Sequence, residues 1–555
     1  MKMHFLGAAK VVTGSNILLE TENKKILIDC GMFQGSRQLN KLNYEPFQFN
    51  PEEIDLLILS HAHIDHSGRI PSLIKAGFKG RIYCTNATSD LCSIMLPDSG
   101  YVQETENEWE NRKRERAGKP LRDPLYTAEE AKDSLKYFSP VLYNQKIVID
   151  DSLTIRFQDA GHILGSAIVE LWIKEGNETI KLVFSGDLGR KNKPIIRDPA
   201  IINEADFLIL ESTYGHRGHP SLDNEASQLI PIMIETRKKG GNVVIPSFAV
   251  QRAQDIIYEL NKYYDRIVAV KDQSYLDIPV YVDSPLTISA TEIFRRNPDC
   301  FDADTLELIK QGHNPLDFKN LHFSRTANES KQLNTSPESK VIISASGMCT
   351  AGRIKHHLKH NLWRKESSIV FVGYQAEGTL GRRIKDGAKQ VKIFGEDVKV
   401  NAQIHVLEGF SGHADQGELL QWVKEFKKKP QKIFLVHGEQ EAQDALSELI
   451  EKGLKITTIV PKLGENFIVK GTKEAVSEKI AKEKSIKEKQ LFEDEAEQLR
   501  ELMSALLEQL EQKTKTELSG EDLSEIRNKV MELRKESLEL SMLMTDKNKS
   551  RQENK

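Results

Sequence analysis

The sequence predicts an α/β protein of several units, with two β-rich sections flanking a stretch of alternating strands and helices. Three observations carry this. Short apolar, β-branched-rich runs ending in polar clusters recur through the first two hundred residues. Between 212 and 391 the rhythm becomes strand, loop and amphipathic helix. From 476 to 555, apolar side chains return every three or four positions. At 555 residues the chain exceeds one average domain and can bury large cores.

The early runs, at 25–29, 54–60, 153–157 and 181–185, have the length and composition of strands buried on both faces, and 207–210 and 432–436 repeat the pattern later. In the middle section, 242–246 leads into a helix whose apolar face includes Ala253, Ile256, Ile257 and Leu260, and 340–344 leads into another near Ile354 and Leu358. That alternation predicts a mostly parallel sheet inserted into the domain formed by 1–211 and 392–475. In the tail, Phe492, Ala496, Leu499, Met503, Leu506 and Leu510 form one heptad-patterned helix. Leu523, Ile526, Val530, Leu533, Leu540 and Met544 form a second, interrupted by Ser537 and opened by a Ser519/Asp522 capping box. A helical hairpin over 476–555 is expected, either a solvated appendage or a surface for a homodimer or partner protein.

Lys and Arg (78) against Asp and Glu (82) leave a net charge of -4, so any nucleic acid must bind through a local basic groove. Five dispersed cysteines without a CxxC pair argue against a disulfide framework or a cysteine zinc site. No secretory signal opens the chain, and no run approaches the roughly 18 apolar residues that cross a bilayer. The expected location is cytoplasmic.

The chemistry concentrates in Ser60-His61-Ala62-His63-Ile64-Asp65-His66, directly after a strand. Neutral imidazoles and a carboxylate suit zinc, and His61 and His63, two apart in extended chain, project to one side. His162, Asp187 and His437 each follow the end of a predicted strand, where side chains of adjacent strands converge on one rim. Together these supply five histidines, a bridging carboxylate and Asp65, enough for two ions. Asp29, also at a strand end, is expected behind the ligands rather than on the metal.

His61-Ala-His63-Ile-Asp65-His66, with Asp29, His162 and Asp187 in this order, resembles the metallo-β-lactamase superfamily. Glu211 after its strand, His413 in Ser411-Gly412-His413-Ala414-Asp415, and His437 in His437-Gly438-Glu439 resemble its β-CASP branch of RNA- and DNA-processing nucleases. The resemblance covers about residues 1 to 470 and implies a metallo-β-lactamase αββα sandwich with an inserted β-CASP parallel α/β domain, followed here by the helical hairpin. It implies two Zn2+ per chain, one on His61, His63, His162 and Asp187, the other on Asp65, His66, His437 and Asp187. It also implies that His413 protonates the leaving oxygen while Glu211 holds its imidazole charged. Two ions about 3.5–4 Å apart suit phosphodiester hydrolysis, and a poor alkoxide leaving group gives the extra histidine its task.

Phosphate handling is expected from Ser346 and Gly347, in a glycine turn before a helix containing Arg353, from the similar loop preceding Arg382, and from Arg252. For each glycine loop a tight turn, and for Arg252 a solvated helix face, is an equally good account. The expected function is a zinc-dependent ribonuclease acting on single-stranded RNA by a two-metal mechanism, more as an endonuclease. The alternatives are a 5′-3′ exoribonuclease of the RNase J type, a small-molecule metallo-hydrolase, or a scaffold that has lost catalysis. The chain opens in the catalytic fold, so the amino-terminal KH modules of many archaeal members are expected to be missing.

Overall fold

The computed structural model describes residues 1–219, 225–266, 278–373, 375–376, 378–407 and 411–469. The expected tail helices lie outside the described residues. Two seven-stranded sheets form the body. Along the first, the order is Asn466–Ile468, Lys2–Phe5, Ile17–Glu20, Lys25–Ile28, Leu56–Ile58, Arg81–Thr85, Phe138–Val141. Along the second it is Thr457–Ile459, Lys432–Val436, Phe207–Glu211, Glu178–Phe184, Ala167–Glu175, Leu153–Asp159, Lys146–Asp150.

The inner faces meet in one apolar layer. Met3, Phe5, Ile17, Ile26 and Ile58 from the first sheet pack with Phe157, Val169, Leu182, Ile209 and Phe434 from the second. Outside the second sheet, Leu208, Leu210 and Leu435 are covered by Leu419, Trp422 and Val423 of helix Gln416–Lys424 and by Leu446 and Ile450 of helix Gln440–Leu454. Outside the first, Leu57, Leu59 and Ile82 pack under Leu73, Leu91 and Leu96 from helices Ile70–Lys75 and Asn86–Arg116. Helix, sheet, sheet and helix thus stack as an αββα sandwich.

The insertion is a six-stranded sheet with every neighbour parallel, in the order Leu321–Phe323, Val280–Val282, Val341–Ser344, Val243–Pro246, Ser368–Phe371, Gln403–Val406. The last strand lies beyond 391, the end that the sequence pattern gives the insertion. Its alternating, half-exposed QIHV makes an edge strand that lacks the continuous apolar signal of its neighbours.

The sandwich and the insertion meet at the loop after strand Leu153–Asp159. Thr85, the N-cap of helix Asn86–Arg116, and Thr88 both donate hydroxyl hydrogen bonds to the Gly165 carbonyl, at 2.6 and 2.8 Å. Gly165 has φ +81°, and a Cβ there would lie 2.6 Å from the Thr88 nitrogen, so only glycine fits.

Asp159, at the end of that strand, accepts a 3.0 Å hydrogen bond from the Gly161 N–H and lies 3.7 Å from Arg197. Burial outweighs both and pushes its carboxyl up to about 7. Between the unfolded value near 4 and that pH the folded chain holds the extra proton, so stability falls as pH rises through this window and the cost persists above it. Asp159→Asn keeps the acceptor without the charge. It should raise the melting temperature at pH 8 by a few degrees, on the order of 1–2 kcal/mol, with the gain shrinking towards pH 5. Thermal melts of both proteins at the two pH values check this, and an equal gain at both would refute it.

Candidate metal centre and active site

Every strand that contributes to the site ends at the same rim. Strand Leu56–Ile58 leads into His61 and His63, and the following one-turn helix Ile64–Ser67 carries Asp65 and His66. Strands Leu153–Asp159, Glu178–Phe184 and Lys432–Val436 are followed by His162, Asp187 and His437, and strand Phe207–Glu211 ends on Glu211. Pairing of Phe207–Glu211 with Lys432–Val436 places Glu211 beside Val436, so residues far apart in the chain come together.

The ring nitrogens converge without intervening protein. His61 Nε2 and His63 Nδ1 are 3.1 Å apart, and His162 Nε2 lies 3.2 Å from the same His63 nitrogen. Asp187 Oδ2 stands 3.5 Å from His61 Nε2 and 3.6 Å from His162 Nε2. Its other oxygen, Oδ1, is 3.4 Å from His66 Nε2 and 3.6 Å from His437 Nδ1. His437 Nε2 is 3.1 Å from His66 Nε2 and 3.5 Å from Asp65 Oδ2. Among the described residues, metal-ligating groups gather as His61, His63, His162 and Asp187, as Asp65, His66 and His437, and as Asp187, Glu211 and His413.

The donor set fits two cations. Asp187 Oδ1 is buried and accepts no hydrogen bond, an arrangement that is costly for a carboxylate oxygen without a positive partner. Burial holds the His61 and His162 imidazoles well below their usual value and His63 down to about 4, so these rings are neutral and offer lone pairs. At His66, burial acts in the same direction but Asp187 and Asp29 outweigh it and raise the ring.

Asp29 sits behind the cluster. Its Oδ2 is 2.7 Å from His66 Nδ1 and also accepts from the Ser15 and Ser60 hydroxyls, both at 3.0 Å, while Oδ1 accepts from the Ser60 N–H at 2.8 Å. The Ser60 hydroxyl lies 3.1 Å from His61 Nδ1, so one buried serine links the carboxylate to two rings. His162 Nδ1 is held by the Gly412 carbonyl at 3.1 Å, and Thr213 Oγ1 lies 3.2 Å from His437 Nδ1. The sequence gives Ser15, Ser60 and Thr213 no role. Ser60 adjoins His61 and Thr213 stands two residues after Glu211, whereas Ser15 reaches Asp29 only through sheet pairing. Asp29 and His437 have φ of +56° and +50°, left-handed conformations that the surroundings must enforce on non-glycine residues.

His413 stands at the open side of the cluster. Its Nδ1 is 3.1 Å from Glu211 Oε1 and 3.9 Å from Asp187 Oδ2, and its side chain is 20% exposed against 1% for Glu211. Burial lowers the ring, but Glu211 and Asp187 outweigh it and hold it above its ordinary value. Glu211 is fixed in turn by the Leu188 N–H on Oε1 at 2.7 Å and the Thr213 N–H on Oε2 at 3.2 Å.

The residues expected to handle phosphate are more scattered. Ser346 Oγ accepts from the Thr350 and Ala351 N–H groups, and a Cβ on Gly347 would lie 2.9 Å from the Phe248 ring, so both serve the turn itself. The Arg353 guanidinium is engaged by Asp283 at 2.6 Å and by the Ser324 and Arg325 carbonyls. Arg382 pairs with Asp386, the residue that caps its helix Leu380–Lys385, at 2.8 Å. Arg252 is nearly buried and lies beside Gly412, next to His413.

Such a metal centre between an αββα sandwich and an inserted parallel domain defines a class of metal-dependent hydrolases, and the chain belongs to the β-CASP branch of the metallo-β-lactamase superfamily. Family models match at residues 18–205 (metallo-β-lactamase superfamily domain), 253–384 (β-CASP domain) and 397–461 (Zn-dependent metallo-hydrolase RNA specificity domain). The chain is 37% identical over 450 residues to ribonuclease TTHA0252 of Thermus thermophilus, covering 81% of this chain and 96% of that protein. It is 33% identical to transcription termination factor FttA of Methanocaldococcus jannaschii and 34% identical to FttA of Methanosarcina mazei. Those matches cover 83% and 82% of this chain and 70% and 69% of the relatives. No helix among the described residues is long and apolar enough to cross a membrane.

Proposed function

We propose that the chain is a zinc-dependent ribonuclease that hydrolyses phosphodiester bonds within single-stranded RNA in the cytoplasm. The observation that carries this reading is the third cluster, in which His413 and Glu211 stand against Asp187. Hydrolysis of a small activated ester needs no general acid, whereas expulsion of a ribose alkoxide does.

His61, His63, His162 and Asp187 would hold one zinc, and Asp65, His66, His437 and Asp187 the other. Bound there, the pair supplies Lewis acidity and lowers the pKa of water towards neutrality. The protein contributes the rest. Asp29 and Ser60 fix the ligand rings, Glu211 accepts the Nδ1 proton of His413, and the ring's Nε2 is left to deliver a proton to the departing oxygen. Arg252 and the loops at 346–347 and 379–383 remain the proposed contacts for the RNA backbone, the Arg353 side chain being the one most fully committed to protein partners.

Internal cutting is the favoured mode because the site lies along the junction of the sandwich and the insertion. RNA labelled at either end, with and without a 5′ monophosphate, tests this. Internal fragments that disappear with a chelator are the expected result. Mononucleotides released from one end would support the exonuclease reading, and zinc-dependent ester hydrolysis without RNA cleavage would overturn the proposal.

A further inference from the structure

Lys193 carries an ammonium group into the interior, 4% exposed, six residues after Asp187. A buried lysine persists only where its charge is paired. Its Nζ donates to the His162 main-chain carbonyl at 3.1 Å and meets Asp255 Oδ2 at 3.3 Å. Asp255 belongs to helix Arg252–Arg266 of the inserted domain, and its Oδ1 accepts from Gln251 Nε2 at 2.8 Å. Gln251 Oε1 in turn accepts from the Leu164 N–H at 3.1 Å. Three hydrogen bonds and one ion pair therefore close a ring that leaves the His162 loop at one residue and returns two residues later. Gln251, at φ +67°, is held in the left-handed region where it makes this contact.

We infer that Lys193, Asp255 and Gln251 are positioning residues by which the inserted domain sets the placement of His162 and so the affinity of its metal cluster. The threonines on Gly165 anchor the same loop to the sandwich; the ring anchors it to the insertion. Parting of the two domains would break the ring at Asp255 and Gln251, so cleft closure and tight metal binding are two readings of one event. Partners that orient a metal-bound histidine typically change metal affinity or activity by about 10- to 100-fold.

The catalytic consequence rests on the ribonuclease reading; the metal consequence does not. Full-length Lys193→Met and Asp255→Asn are compared with wild type by zinc competition against a chelator, without RNA, and by kcat and KM on labelled RNA. One of the two zincs should bind 10- to 100-fold more weakly in both variants, with two still bound at saturation. At limiting zinc kcat should fall while KM stays within twofold, and excess zinc should restore kcat. Should Lys193→Met fail to fold, Asp255→Asn, which keeps the volume, decides alone. Zinc affinity within twofold of wild type overturns the inference. A wild-type protein that binds zinc but leaves RNA uncut would overturn the ribonuclease reading and leave the affinity comparison standing.

Discussion

His413→Ala is expected to retain two zinc ions and lose RNA cleavage by about 10²–10⁴-fold in kcat, the range that a positioned general acid contributes. Its ring lies 3.9 Å from Asp187 and packs 4.4 Å from the His162 ring, but it supplies no donor to either proposed zinc, so its removal should leave metal content unchanged. What is lost is a proton held ready by Glu211, whose oxygens already accept from the Leu188 and Thr213 N–H groups and cannot swing away. The diagnostic substrate replaces the bridging leaving oxygen with sulfur. A thiolate departs without protonation, so the variant should cut this substrate at close to the wild-type rate. An equal loss on both substrates would assign His413 a different task.

That the cluster at the rim is legible from the sequence, while most of its supports are not, has a physical basis. The histidines at 61, 63 and 66 share one turn, and coordination geometry forces such ligands into a short, unusual string. His162, Asp187 and His437 were marked by position, each following an apolar run, because parallel and mixed sheets present the carboxyl ends of strands at a common edge. The same rule marks Asp29, whose carboxylate lies against His66. Arg353 shows the limit. A glycine turn before a helix gives the same local pattern whether its arginine faces a ligand or a protein carboxylate. Here Asp283, seventy positions away, holds the guanidinium. Lys193 is the complementary case, since nothing around residue 193 signals burial, and its partner comes from another domain. The last strand of the insertion was missed because an edge strand alternates and resembles a loop in composition.

The largest loss is expected at Asp187, the one carboxylate whose two oxygens face both clusters. Oδ2 addresses His61 and His162, and Oδ1 addresses His66 and His437, all between 3.4 and 3.6 Å. No other described side chain bridges the groups in this way, so replacement removes a ligand from both at once. Asp187→Ala should therefore lower zinc content after dialysis from two per chain to one or fewer. Several kcal/mol of Lewis-acid assistance would be lost, a fall of about a thousandfold or more in cleavage. The fold should survive, because the apolar layer between the sheets does not include this residue and removing its buried charge also removes a desolvation cost. Far-ultraviolet circular dichroism, metal analysis and the end-labelled RNA assay on one preparation separate these effects. A folded variant that keeps two zinc ions and cuts RNA within tenfold of wild type would exclude a shared carboxylate, and with it the coupled pair of ions in the proposed hydrolytic chemistry.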